Sequence, residues 1–207
     1  MNNSQSIGLL QKRFSKARVL LLAGSAGSFT PIFRIIRSLP ENYDKTIVIV
    51  IHRGKNNFSD IENLFGDNCR ISVNEISDKD KITGGHVYIA PANYHTLFEK
   101  SNHFALDVSE QVWYSKPSID VTFESAADAF GSDCVAMLFS GANQDGANGL
   151  LKLRQKGALT VIQHPEDAEM YAMPQAAVDL NAGEFILTTD QILKLMRDSD
   201  NLITNNP

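Results

Sequence analysis

A serine, a histidine and an aspartate occupy three short loops, each directly after an apolar run. Ser25 lies in Ala23-Gly24-Ser25-Ala26-Gly27-Ser28, after Val19-Leu20-Leu21-Leu22. His52 opens His52-Arg53-Gly54, after Ile47-Val48-Ile49-Val50-Ile51. Asp145 lies in Gly141-Ala142-Asn143-Gln144-Asp145-Gly146, after Val135-Ala136-Met137-Leu138-Phe139. These residue types are those of covalent acyl transfer, with a hydroxyl nucleophile, an imidazole base and a carboxylate that orients it. The first loop is close to the G-x-S-x-G elbow, with Ala in the first slot, and backbone N–H groups near a helix start can hold an oxyanion there. The same loop also fits a phosphate-holding helix start or a plain tight turn. It lacks G-x-G-x-x-G spacing and a Walker lysine.

Each of the three residues has a rival or a blander role. Ser28 is a second candidate nucleophile. His52 fits a general base at the end of a buried strand, or a histidine bonded only to backbone. His164, before Pro165, is its best rival, and His95 sits where it can edge a site. His86 reads as a turn residue and His103 as part of a hairpin. Asp145 fits an orienting acid or the N-cap of the helix that follows. Asp120 reads as another helix-start acid. The order Ser, His, acid differs from the Ser, acid, His order of the α/β-hydrolases. No zinc-type His/Cys cluster is present in the sequence.

The elements that must position these residues alternate between strand and helix. Continuous apolar runs read as strands buried on both faces of a parallel sheet, whose sites form beyond the carboxyl ends. Strands are expected over 18–23, 46–52, 71–75, 87–90, 134–139 and 159–163. Helices are expected over 31–38, capped by Thr30 with Pro31 first, and over 59–65, with Ser59 and Glu62 as a capping box. Further helices are expected over 118–130, over 146–156 with Gly157 closing it, over 173–180, and over 189–197 capped by Thr188 or Thr189. Segments 97–100 and 103–107 flank Ser101-Asn102 as a two-residue hairpin. The fold class is therefore α/β: one domain with a mostly parallel sheet and a small antiparallel hairpin.

A chain of 207 residues is long enough to bury a full core in one domain. The net charge of −5 and the absence of a basic stripe speak against a nucleic-acid partner. Cys69 and Cys134 have no metal-ligand spacing and read as reduced thiols of a cytoplasmic protein. No run approaches the ~18 apolar residues of a membrane span. Residues 1–16 are polar, without a signal-type apolar region, and read as a frayed or helical leader. The domain is expected over 17–200, followed by a polar tail over 201–207.

The three loops together resemble those of the chemotaxis protein-glutamate methylesterases (CheB-like), with their G-A-S-T-G-G, Q-H and G-M-G-x-D-G segments. Further matches are Gly85-His86-Val87-Tyr88-Ile89-Ala90-Pro91, Lys116-Pro117-Ser118-Ile119-Asp120-Val121 and Tyr171-Ala172-Met173-Pro174. The six segments stand in the family's order over about residues 17–195. The resemblance implies a doubly wound sheet with helices on both faces. It implies hydrolysis of glutamyl methyl esters on chemoreceptor helices, with methanol released, and glutamine deamidation as a companion activity. It makes Ser25 the nucleophile, His52 the base and Asp145 the orienting acid. Ala26, Gly27, Ala142 and Met173 then belong to the oxyanion and substrate loops. No metal or organic cofactor is implied. The partner is a methylated receptor or related signalling protein, met in receptor arrays without membrane insertion.

This chain departs from the family pattern at four loop positions. Ala26 stands where Thr is usual and Ser28 where a second Gly is usual. Ala142 and Asn143 replace Met and Gly; Ala142 keeps a backbone amide, and Asn143 tolerates positive φ. The residues before the first strand are too few for the receiver domain of the family's longer members, so control by phosphorylation in cis is not expected. Two other functions compete: a non-catalytic homologue that serves as an interaction module in signalling, and a nucleotide-binding α/β protein.

Overall fold

The computed structural model describes residues 3–52 and 61–198. Its strands are β1 (Val19–Gly24), β2 (Thr46–Ile51), β3 (Ser72–Glu75), β4 (His86–Ile89), β5 (His95–Glu99), β6 (His103–Asp107), β7 (Cys134–Leu138), β8 (Leu159–Gln163) and β9 (Phe185–Leu187). Its helices are α1 (Asn3–Lys16), α2 (Phe29–Arg37), α3 (Ile61–Asn68), α4 (Ile119–Phe130), α5 (Ala147–Gln155), α6 (Ala172–Asp179) and α7 (Thr189–Asp198). Seven strands form one sheet in the order β3-β4-β2-β1-β7-β8-β9, and every ladder in it is parallel. Strands β5 and β6 form a separate antiparallel hairpin.

Side-chain alternation sorts the sheet into two cores. In β1, Leu20 and Leu22 point to one face, and Val19, Leu21 and Ala23 to the other. In β2, Ile47, Ile49 and Ile51 share the first face, and Val48 and Val50 the second. Helices α1, α2, α3 and α7 cover the first face through Phe14, Ile35, Phe65 and Ile192. Helices α4, α5 and α6 cover the second through Phe123, Leu150 and Met173, joined by Phe98 and Phe104 of the hairpin. All six residues of β1 and of β2 are buried, as strands covered by helices on both sides require. The fold is the expected α/β, doubly wound one.

Several local expectations shift. Helix α2 starts at Phe29 after Ser28, so Pro31 is third in the helix, where it has no intrahelical N–H bond to lose. The hairpin turn has three residues rather than two, because Glu99 pairs with His103 and Asn102 takes φ 64°. The short strand β9 had no counterpart in the expected elements. Residues 1–16, set apart as a leader, contain α1, which places Leu10 and Phe14 in the core. Ser59, Arg53, Gly54 and the 201–207 tail lie outside the described residues.

The order β2-β1-β7 is what makes a site. The chain leaves β1 for β2 on one side and returns through α4 to β7 on the other. The helices that follow β1 and β7 lie on opposite faces of the sheet, and such a switch point is where sites form outside the carboxyl ends of the strands.

Candidate active site

Parallel register brings Ser25 and His52 together. Gly24 of β1 pairs with Ile51 of β2, so each residue is the next one out on adjacent strands. The His52 amide still donates to Gly24 O at 3.3 Å. Ser25 sits half-buried on a bend, tied back by its own amide to Ser140 O at 2.8 Å. Gly27 takes φ +78°, and a Cβ there would lie 2.6 Å from Glu169 Cβ, so the turn demands glycine.

Ser28 cannot serve as a second nucleophile in this arrangement. It is fully buried, and its Oγ donates to Ser25 O at 2.6 Å. Its hydroxyl closes the turn that presents Ser25. A Cβ on Gly24 would lie 2.4 Å from Ser28 Cβ, so these two residues interlock. Among the described residues, the amides of Ala26, Gly27 and Ala142 donate to no acceptor. Ala26 and Ala142 are exposed and Gly27 half-buried, so these N–H groups are open to an incoming oxygen.

His52 is the histidine that meets a carboxylate. Its Nε2 donates to Asp145 Oδ2 at 2.7 Å, with the histidine side chain 11% and the aspartate 0% exposed. The remaining nitrogen, Nδ1, faces Ser115 Oγ at 3.1 Å. The other candidates are engaged elsewhere. His164 accepts from Glu166 N and caps a single 3-10 turn. His95 is buried, donates to Glu110 O at 2.9 Å and accepts from Ser118 N at 3.1 Å. His86 Nδ1 and His103 Nδ1 bond carbonyls two residues before each.

Asp145 does cap a helix, but not the one it precedes. The position before α5 is taken by Gly146, in a left-handed conformation with φ +93°. The Asp145 carboxylate instead accepts from the start of α4: Ser118 Oγ at 2.9 Å, Ile119 N at 2.7 Å and Asp120 N at 2.9 Å. With His52, four donors converge on one buried carboxylate, and the helix start favours a negative charge there. Asp120 returns the arrangement, accepting from Gly149 N in the first turn of α5 at 2.7 Å and from Trp113 Nε1 at 3.1 Å. Burial pushes the Asp120 carboxyl above its usual range, against the Gly149 bond, and the nearby Asp145 charge adds to the rise.

Two expectations for the acid loop change. Asn143 does not adopt positive φ. Its side chain works instead: Oδ1 accepts from Asp145 N at 3.2 Å and Nδ2 donates to Trp113 O at 3.4 Å. Met173 is fully buried, packs against Gly141 and donates its amide to Gly141 O. It supports the loop from its buried side.

Residues absent from the expected set also build the site. Ser140 Oγ donates to Ala26 O at 2.7 Å and accepts from Met170 N at 2.8 Å, joining the loops after β1 and β7 to the segment before α6. Its place directly after an apolar strand was the one signal for it. Ser115 carried none, lying in an irregular segment. Beside the acid loop runs an open groove of about 460 Å³ lined by Trp113, Tyr114, Ala142, Asn143, Tyr171 and Gln175. Burial pushes both free thiols up, Cys69 to about 11, so neither is a reactive thiolate at neutral pH.

Comparison with known proteins places these features in context. A family model described as CheB methylesterase matches residues 20–196. A protein of Leptospira interrogans, provisionally named a protein-glutamate methylesterase/protein-glutamine glutaminase, is 35% identical over 88% of this chain and 96% of its own length. A Pseudomonas aeruginosa protein-glutamate methylesterase/protein-glutamine glutaminase is 32% identical over 86% of this chain and 52% of its own. The crystal structure of the Thermotoga maritima CheB methylesterase catalytic domain superposes with a TM-score of 0.82. It is 25% identical and covers 87% of this chain and 97% of that one.

Proposed function

The chain belongs to the CheB methylesterase family, and from that premise we propose that it is a serine hydrolase that demethylates glutamyl methyl esters of a chemoreceptor-type protein. The observation that carries this reading is the His52–Asp145 hydrogen bond at 2.7 Å, one residue beyond the paired strand ends that also deliver Ser25. In this reading Ser25 Oγ attacks the ester carbonyl while His52 Nδ1 takes its proton. Asp145 on Nε2 stabilises the imidazolium. The nitrogens are used in the reverse of the usual order, in which the acid sits on Nδ1. The tetrahedral oxygen meets the open amides of Ala26, Gly27 and Ala142. His52 then protonates the departing methoxide, and methanol leaves. Water, activated by His52, cleaves the acyl-serine to give glutamate and free Ser25.

The same steps with ammonia as leaving group hydrolyse a glutamine side chain, the second activity in the relatives' names. The groove with Trp113, Tyr114 and Tyr171 beside the acid loop suits an extended protein substrate, whose aromatic contacts would seat the reacting side chain. The proposed setting is the cytoplasm, in keeping with two unpaired cysteines. No helix among the described residues is long and apolar enough to cross a membrane. Labelling with a serine-reactive phosphonate tests the nucleophile: modification at Ser25 is expected, and modification elsewhere contradicts the assignment.

A further inference from the structure

A neutral imidazole has one proton and one lone pair. Asp145 holds the proton, on Nε2. The lone pair on Nδ1 faces Ser115 Oγ at 3.1 Å, nearer than the Trp113 carbonyl oxygen that the same hydroxyl reaches at 3.4 Å. Ser25 Oγ makes no hydrogen bond among the described residues. From this geometry we propose that Ser115 is a positioning residue for the base: in the resting molecule its hydroxyl donates to His52 Nδ1, holds the ring, and releases it when Ser25 transfers its proton. The proposal rests on the reading of Ser25 and His52 as nucleophile and base. The exchange is balanced. The Ser115 O–H···Nδ1 bond breaks, the Ser25 proton passes to Nδ1, and Ser25 Oγ forms its bond to the acyl carbon.

The surrounding turn is built to hold Ser115 in place. Val112 and Ser115 exchange backbone hydrogen bonds at 3.3 and 2.9 Å. Between them Trp113 and Tyr114 take φ 51° and 59°, the paired positive values of a type I′ turn. Such turns favour Asn and Gly, because a Cβ is crowded there. Bulky residues stay in that conformation only where the surroundings enforce it. Here the enforcement is visible. Trp113 Nε1 donates to Asp120, Asn143 Nδ2 donates to Trp113 O, and Lys116 Nζ donates to Val108 O and Ser109 O. Tyr114 is 94% exposed, so its own packing does not account for the conformation. The turn is fastened to Asp120, whose amide donates to Asp145, and through Asn143 to the loop that carries Asp145.

The charged groups that the described elements place about this site are Asp145, Asp120 and Lys116, with Glu169 against Gly27 of the Ser25 loop. Asp145 contacts His52 from the loop after β7. Asp120 lies behind Asp145 at the start of α4. Lys116 turns its amine to the Val108 and Ser109 carbonyls. Ser115 is the neutral group on the reacting nitrogen.

The test compares wild type, Ser115→Ala and Ser115→Thr in the full chain, with Ser25→Ala beside them. Two quantities are read: the NMR resonance of the His52 Nδ1 nitrogen and the rate of phosphonate labelling of Ser25. Ser115→Ala is expected to move that resonance, because the nitrogen loses its hydrogen-bond donor. Labelling is expected to quicken about threefold to tenfold, because Nδ1 is no longer occupied. Ser115→Thr, which keeps the hydroxyl, is expected to restore both values. An unmoved resonance overturns the proposal, and so does slower labelling in Ser115→Ala. If Ser25→Ala abolishes labelling while Ser115→Ala leaves the resonance unmoved, only this proposal falls. If Ser25→Ala still labels and Ser115→Ala does not, the nucleophile assignment falls with it.

Discussion

Asp145 shows how much one buried side chain does in this molecule. Its carboxylate joins His52 to the start of α4 through four hydrogen bonds. Asp145→Asn is therefore expected to lower kcat by about 10³- to 10⁴-fold, since an amide in place of the carboxylate disfavours the tautomer and the imidazolium. Steady-state rates on a methyl-ester substrate check this, and a loss under tenfold would reduce Asp145 to a helix cap. The aspartate was visible in the sequence as the acid of a strand–helix turn, but its helix was not. Local spacing points to α5, and only tertiary folding brings the start of α4 to it. Ser28 shows the reverse case. Sequence leaves it as a rival to Ser25, whereas its burial and its bond to Ser25 O remove it. Ser115 had no legible signal, because it lies in neither a periodic segment nor a recognisable turn motif.

The elements around the site are joined start to start. Asp145, before α5, caps α4, and Asp120, in α4, accepts from the first turn of α5. The helices approach closely enough that a Cβ on Gly149 would lie 2.6 Å from Phe123 Cβ. A second junction ties β8 to α7. Asp167 accepts from Gln163 Nε2, Thr189 N and Thr189 Oγ1. Thr188 and Gln191 cap the same helix reciprocally, which decides for Thr188 between the two caps, Thr188 or Thr189, that the sequence offers. Partial burial would raise the Asp167 carboxyl, but the Thr189 and Gln163 bonds outweigh it and hold it below its usual range. A depressed folded-state value means stability that is present above the unfolded value of about 3.9 and lost as pH falls through the folded one. The stability difference between wild type and Asp167→Asn should therefore be largest near neutral pH and shrink below about pH 4, measured by denaturant unfolding; a constant difference would contradict this. Tyr114→Gly relieves a crowded positive φ without losing packing, and is expected to stabilise by up to about 1 kcal/mol. A fall in stability would show that the exposed ring has a partner in the fold.

At the scale of the whole molecule, the sheet order decides where chemistry can occur. Strands β1, β2 and β7 read clearly from sequence because each is buried on both faces, and their apolar runs are unbroken. Strand β9 did not, because three residues with partial exposure leave no pattern. The sequence leaves α1 open as a frayed or helical leader, because its segment is mostly polar and, among its described side chains, Leu10 and Phe14 alone reach the core. Phe14→Ala is expected to destabilise by about 3–5 kcal/mol, the cost of emptying a fully buried aromatic site. A change under 1 kcal/mol by chemical denaturation would return residues 1–16 to the role of a leader. The measurement that bears most directly on the central claim is methanol release from a methylated receptor fragment, with wild type beside Ser25→Ala. The account predicts release by wild type and none by the variant. Equal release from both, or phosphonate-reactive wild type that releases no methanol, would contradict a Ser25 methylesterase.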